Sequence, residues 1–301
     1  MSAAGVSAVH AWAAAVRPPS LLIALAPVMV GSALGYHQTG HLNLQLATLA
    51  LLAAVLMQII TNLQNDVGYT DRGGERVGGR IGLPRATALG WLSARQVKRV
   101  IVGLSVVSAL LGLYMVALRG WPVLALGVAS LVGALAYMGG PKPIAYTPFG
   151  ELTVLVFFGP VAVLGTGWLL TDGIGVGGAL ASLAVGSMAA AALAVNNHRD
   201  RVHDMRAGRN TFAVVWGEAQ SSRLLAALFV IPFMALAAMA YVESAVWPLV
   251  PAVLAPLAYR LYRDFARCPG GEAYNAILFR TFRIGLWFAG VLSASAWVSG
   301  R

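Results

Sequence analysis

Two short stretches of this chain carry amides and carboxylates in the same register. The first reads Asn62-Leu-Gln-Asn65-Asp66-Val-Gly-Tyr69-Thr-Asp71-Arg72-Gly-Gly-Glu75, and the second Asn196-Asn197-His198-Arg199-Asp200-Arg-Val-His203-Asp204. Each contains Asn-x-x-x-Asp, and the second copy follows the first by 134 positions at both residues, a sign of internal duplication. Residues four apart share a helix face. Asn62 and Asp66 therefore point together, as do Asn196, Asp200 and Asp204. Two such faces converging at one end of a helical bundle make an oxygen-rich pocket, and empty carboxylates would repel one another there. A hard cation relieves that repulsion. Mg²⁺ takes few carboxylates and completes its shell with water and phosphate oxygens, which makes a diphosphate the natural third party. Asn62, Asp66, Asp71, Glu75, Asn196, Asn197, Asp200 and Asp204 form the candidate metal set. Asp66 and Asp200 are the two expected to be indispensable to catalysis.

Basic side chains flank both copies: Arg72, Arg76, Arg80 and Arg85, then Arg199, Arg201, Arg206 and Arg209, with Lys142 in a Gly-Gly-Pro-Lys-Pro turn. Cations beside carboxylates suit a metal-bound diphosphate, in which charges of both signs have to be matched. Arg80, Arg85, Lys142, Arg199 and Arg209 are the candidates for that contact. The plainer readings are that loop arginines signal orientation and that Asp71 and Glu75 are solvated loop residues. His198 and His203 read as flanking polar residues. The paired Cys and His ligands that zinc prefers are missing.

The elements that must position these residues are membrane helices. The chain has 301 residues, 58% of them hydrophobic and only 11% charged, with a mean hydropathy of +0.74. A soluble domain carries about 25% charged residues. A membrane span needs about 20 apolar residues, and nine stretches qualify: about 19–36, 43–63, 97–118, 121–139, 151–171, 176–197, 223–242, 246–262 and 282–300. Alternating strand patterns are absent, so the spans are read as helices. Of the 21 Lys and Arg, all but Arg119 and Arg301 fall on one side of this topology. The positive-inside rule puts that side, with the N-terminus and both motif loops, in the cytoplasm. The net charge of +10 is thereby explained by a membrane surface and an anionic substrate, with no need for nucleic acid. Met1–Arg17 lacks the pattern of a removable signal peptide, and the single Cys268 excludes a disulfide framework. Residues 1–301 are read as one integral membrane domain of the cytoplasmic membrane.

The motifs resemble those of the UbiA superfamily of intramembrane prenyltransferases. The branch they resemble most is the 1,4-dihydroxy-2-naphthoate polyprenyltransferases of menaquinone biosynthesis. Arg17-Pro-Pro-Ser20, Asn62–Glu75 with Arg80–Arg85, Gly139–Pro143 with Gly150-Glu151, and Asn196–Asp204 with Gly208–Val214 carry the resemblance over nearly the whole chain. One departure stands out: Tyr69 occupies a place where this family usually has an Asp. The resemblance implies an all-α bundle of about nine transmembrane helices around a buried cavity, with two Asp-motif loops on the cytoplasmic side. It implies Mg²⁺, a polyprenyl diphosphate donor with its tail in an apolar tunnel, and an aromatic acceptor surrounded by membrane lipid. The allylic C–O bond ionises and an electron-rich ring carbon attacks the cation. With 1,4-dihydroxy-2-naphthoate the product is a demethylmenaquinone and the acceptor's carboxylate is lost; Arg17 is its expected partner. Other acceptors of the superfamily are 4-hydroxybenzoate, homogentisate, haem or a chlorophyllide. A CDP-alcohol phosphotransferase fits less well because the aspartates are split between two spans. A transporter also fits less well, because no charged residue lies mid-span.

Overall fold

The computed structural model describes residues 6–74, 78, 81–173 and 175–300. Among them there is no strand. The helices are α1 (Ala8–Val16), α2 (Pro18–Thr39), α3 (Leu44–Asp71), α4 (Ala94–Arg119), α5 (Trp121–Ala136), α6 (Gly150–Val156), α7 (Gly165–Thr171), α8 (Gly175–Arg206), α9 (Phe212–Val242), α10 (Ala255–Ala266) and α11 (Ala273–Ser299). A π-helical segment, Phe157–Leu164, joins α6 to α7, and a 3₁₀ segment, Trp247–Leu254, leads into α10. The chain is an all-helical integral membrane protein.

Among the described residues, seven stretches are long and apolar enough to cross a membrane: α2, α3, α4, Gly150–Thr171, α8, α9 and α11. The other two expected spans coincide with shorter elements. Helix α5 has 16 residues, about 24 Å of rise, because Gly120 at φ 84 and the turn after Tyr137 bound it. In the region expected at 246–262, Pro248 and Pro251 fall in the 3₁₀ segment, and α10 then carries Arg260, Arg263 and Asp264. Proline removes the N–H that a continuous α-helix would use there.

Helix α8 is the axis. Most of its apolar stretch is buried, in contrast to the lipid-facing α4. It packs against α2, α6, the π segment, α9 and α11, while α2 and α11 also pack on each other. Small residues permit this crowding. At Gly186 an added Cβ would lie 3.0 Å from the Gly159 Cα, so α8 and the π segment meet backbone to backbone. Pro160 sits inside the π segment. A π turn absorbs the missing hydrogen bond and rotates the wall residues that follow.

The junction of α1 and α2 is equally specific. Arg17 adopts a left-handed conformation (φ 55, ψ 68), and Pro18 and Pro19 restart the helix beyond it. Such a backbone costs a non-glycine residue about 1 kcal/mol. Asn62 offsets this from α3, its Nδ2 donating to Val16 O at 2.7 Å and to Ser20 Oγ at 2.8 Å.

Because the α8 contact has no room for a side chain, Gly186→Val should lower the thermal unfolding midpoint of the detergent-solubilised protein. Overpacking costs about 1–3 kcal/mol. A midpoint equal to wild type would show that the two backbones do not approach as described.

Candidate active site

An elongated cavity of about 510 Å³ runs through the bundle. Its apolar length is lined by residues of α2, α4, α5 and the π segment, among them Val28, Gly112, Gly127 and Phe157. Leu113, Leu124 and Val128 line it while remaining partly exposed on the outer surface of the bundle, so it reaches the lipid side between α4 and α5. The other end is polar: Arg17, Ser20, Gln58, Asn62, Asn65, Tyr137 and Asn196 line it. Each Asn-x-x-x-Asp copy therefore contributes its leading asparagine, Asn62 or Asn196, to one mouth of one cavity.

In the first copy, Asp66 is fully buried. Its carboxylate accepts the N–H of Ala86 and of Thr87, both at 2.9 Å, and the Thr87 hydroxyl at 2.6 Å. Thr70 and Thr87 are hydroxyl-bonded at 2.8 Å beside it. Helix α3 thus holds the 83–92 loop by a carboxylate that acts as the acceptor for two loop N–H groups. Arg85, from that loop, donates to the Asn65 carbonyl and, at 3.2 Å, to Asn65 Oδ1. Its guanidinium lies 4.0 Å from the centre of the Tyr69 ring. Asp71 does not join the cluster. It is on the surface, 2.7 Å from Lys98. Lys142 is exposed. Glu75 and Arg80 lie outside the described residues.

In the second copy, every carboxylate has a cation at hand. Arg199 clamps both oxygens of Asp200 at 2.8 Å and reaches Asn196 Oδ1 at 2.8 Å and Asn275 Oδ1 at 2.7 Å. Gly208, at φ 70, reverses the chain after α8, and Arg209 returns to Asp204 at 2.7 Å. The same guanidinium donates to the Ala145 carbonyl at 3.2 and 3.1 Å, which ties the 139–146 turn to the second motif. Burial opposes the Arg209 charge, but Asp204, with Tyr137, Tyr146 and Asp200 behind it, outweighs burial and raises its pKa.

Glu151 carries no role in the sequence reading. It is buried at the start of α6 and accepts from Asn197 Nδ2 at 3.0 Å. Its signal was a lone carboxylate heading an apolar stretch. Glu151 Oε2, Asn197 Oδ1 and Asp204 Oδ2 are buried oxygens with no hydrogen-bond partner among the described residues. Orphaned acceptors of this kind ask for a cation or a donor. Among the described residues no three His, Cys, Asp or Glu side chains converge as a ready-made metal centre. The second copy and Glu151 together offer three hard oxygens, two of them from carboxylates, and that donor set suits Mg²⁺ with phosphate oxygens completing the shell.

Comparison with known proteins gives the family and the fold. The UbiA prenyltransferase family matches residues 24–297. The 1,4-dihydroxy-2-naphthoate octaprenyltransferase of Escherichia coli is 33% identical over 285 residues, 92% of each chain. The Mycobacterium tuberculosis enzyme of the same name is 34% identical over 272 residues, 89% of this chain and 90% of that one. A UbiA homologue from Archaeoglobus fulgidus, solved with GPP and Mg²⁺, superposes with a TM-score of 0.65 at 19% identity, covering 95% of this chain and 99% of that one.

Since Asp66 anchors a loop, Asp66→Ala should free that loop as well as reduce activity. Losing the acceptor of two buried N–H groups costs about 2 kcal/mol or more. Trypsin should then cut at Arg85, which wild type buries. Wild-type resistance of this variant would contradict the anchoring role.

Proposed function

This chain belongs to the UbiA prenyltransferase family and is a prenyltransferase, and from that premise we propose that it transfers a polyprenyl group from polyprenyl diphosphate to 1,4-dihydroxy-2-naphthoate, with Mg²⁺. The observation that carries this reading is the cavity whose apolar length opens toward lipid and whose polar mouth is lined by Asn62, Asn65 and Asn196 of the two Asn/Asp copies. The naphthoate acceptor rests on the relatives that bear that name.

In this reading the isoprenoid tail lies along the cavity, against Val28, Gly112, Gly127 and Phe157. Its diphosphate stays at the mouth, within reach of Arg85, Arg199 and Arg209. Asn196, Asn197, Asp200 and Asp204 would hold Mg²⁺, and Glu151 adds an oxygen beside Asn197. When bound, Mg²⁺ supplies positive charge to a departing diphosphate. The allylic C–O bond breaks with its electron pair going to the diphosphate, and the arginines stabilise that charge. Phe157, Phe158 and Phe282 line the cavity beside the mouth, and aromatic faces stabilise a carbocation. The closed apolar wall keeps water from capturing it. A ring carbon of the acceptor donates its pair to form the C–C bond. The carboxylate leaves as CO₂, returning a pair to the ring, and the product is released in its reduced, quinol form. Arg17, held at the mouth by its left-handed bend, is the proposed partner of the acceptor carboxylate. Lys142, Arg80, Asp71 and Glu75 keep only the expectation drawn from sequence.

The mouth faces the cytoplasm in this proposal, and the whole chain acts as one domain. Cys268 lies in the connection before α11, and Asn275 in α11 meets Arg199 of the second motif, so the only cysteine marks the motif side. A membrane-impermeant maleimide should label it in inverted vesicles and not in right-side-out cells; the reverse pattern would invert the topology.

Purified protein given a polyprenyl diphosphate, 1,4-dihydroxy-2-naphthoate and Mg²⁺ should form the prenylated naphthoquinol. Chelation should stop the reaction, and Asp204→Ala should slow it by about 10²-fold or more. Turnover that survives chelation would remove the metal from the mechanism. A clear preference for 4-hydroxybenzoate over the naphthoate would replace the acceptor.

A further inference from the structure

Tyr69 and His203 are a third pair of equivalent positions in the duplicated motif, again 134 apart, and in the folded chain they touch. The Tyr69 hydroxyl bonds His203 Nε2. His203 Nδ1 lies 3.0 Å from the Gly78 carbonyl. A carbonyl only accepts, so Nδ1 carries the proton, Nε2 is the acceptor, and Tyr69 donates. Tyr69 is fully buried. The chain leaving α3 lies flat against its ring: a Cβ on Gly74 would fall 2.5 Å from the ring carbon Cζ. The Arg85 guanidinium stacks on the same ring.

The two motif copies are thus built differently. In the first, Asp66 spends both oxygens on Ala86 and Thr87, and Asp71 faces Lys98 at the surface. A phenol stands at the position where the family pattern has another carboxylate. In the second, Asp204 and Asn197 each keep a buried oxygen without a partner, and Glu151 adds a third. Positive charge enters the first copy on a guanidinium and can enter the second on a metal ion.

We infer that the first motif of this chain is a clasp and not a cation site: Tyr69 and His203 bind the two motif helices together and hold Arg85 toward the diphosphate, while the divalent cation belongs to the second motif. The inference rests on the reading that a diphosphate binds at this mouth. Tyr69 is a positioning residue, acting through Arg85. Replacing a metal–carboxylate contact by a guanidinium stacked on a buried ring keeps the charge at the mouth and removes one cation from the site.

Two measurements on the full-length protein in detergent test this. Mn²⁺ titration followed by electron paramagnetic resonance should count one bound ion per chain in wild type, one in Asp66→Asn and none in Asp204→Ala. Two ions in wild type, or loss of the ion in Asp66→Asn, would overturn the assignment. Tyr69→Phe keeps the ring and loses the hydroxyl. It should raise KM for the polyprenyl diphosphate about tenfold and leave KM for the acceptor and the Mn²⁺ count unchanged. His203→Leu should match it, whereas His203→Gln, which keeps an acceptor for the Tyr69 hydroxyl, should recover wild-type KM. Unchanged KM in both Tyr69→Phe and His203→Leu, or His203→Gln no better than His203→Leu, would defeat the clasp. An inactive wild type that still binds one Mn²⁺, kept in Asp66→Asn and lost in Asp204→Ala, would defeat the proposed reaction and leave the assignment of the cation to the second motif standing.

Discussion

A carboxylate buried at the end of a membrane helix must be given positive charge or hydrogen-bond donors, and the motif end of this protein is organised by that requirement. An isolated anion in low dielectric is too costly to persist. Three carboxylates meet the requirement in three ways. Asp66 takes backbone N–H groups from its own loop, Asp200 takes a bidentate arginine one residue earlier, and Asp204 takes an arginine returned by the turn at Gly208. Each solution recruits a different piece of chain. The 83–92 loop is folded onto α3 by Asp66, α11 is drawn to α8 through Arg199 and Asn275, and the 139–146 turn is fixed by Arg209 through Ala145. The loops over the cavity mouth are therefore ordered by the charges buried beneath them.

The same requirement explains why the cavity is polar at one end only. Helices α4 and α5 contribute apolar wall and no charge within the membrane. Asn62 lines the mouth yet spends its amide on the α1–α2 bend, so a residue expected at a metal also sets where Arg17 stands. Positioning and chemistry share side chains here. A substitution at the mouth will rarely change one without the other, which is why the experiments pair activity with protease resistance, labelling or ion counting.

What the sequence made legible followed from periodicity and from scarcity. Apolar runs marked nine spans, seven of which correspond to helices long and apolar enough to cross a membrane among the described residues, and the scarcity of acids made two copies of Asn-x-x-x-Asp visible. The short α5 and the proline-broken segment before α10 were hidden because composition alone does not show where a helix stops being continuous. Helical spacing placed Asn62 beside Asp66 but gave no hint that loop N–H groups 20 residues later would occupy that carboxylate. Tyr69 was visible as a departure, and its partner was not, because the contact joins two helices far apart in sequence. Glu151 carried a local signal, a single acid at the head of an apolar run. That signal gains a meaning only once α6 packs on α8 beside Asn197.

The duplicated motif then has a physical reason to be unequal. If both copies kept carboxylates facing the mouth, the ligand-free protein would bury more negative charge than its arginines neutralise, and cations would have to be present for the bundle to close. With Tyr69 at this position, the described residues of the first copy are satisfied from within the chain, by a phenol, an imidazole and loop N–H groups. Of the two copies, among the described residues, the second leaves oxygens without partners, Asn197 Oδ1 and Asp204 Oδ2, joined by Glu151 Oε2. The unmet demand for positive charge is thereby concentrated on α8 and the head of α6. In the proposed reading, a diphosphate carrying its own cation would meet that demand, with Arg85 left for its other oxygens. The asymmetry between the copies would then orient the donor, because the orphaned oxygens lie on α8 and α6 while Arg85 is held against α3 by Asn65 and Tyr69.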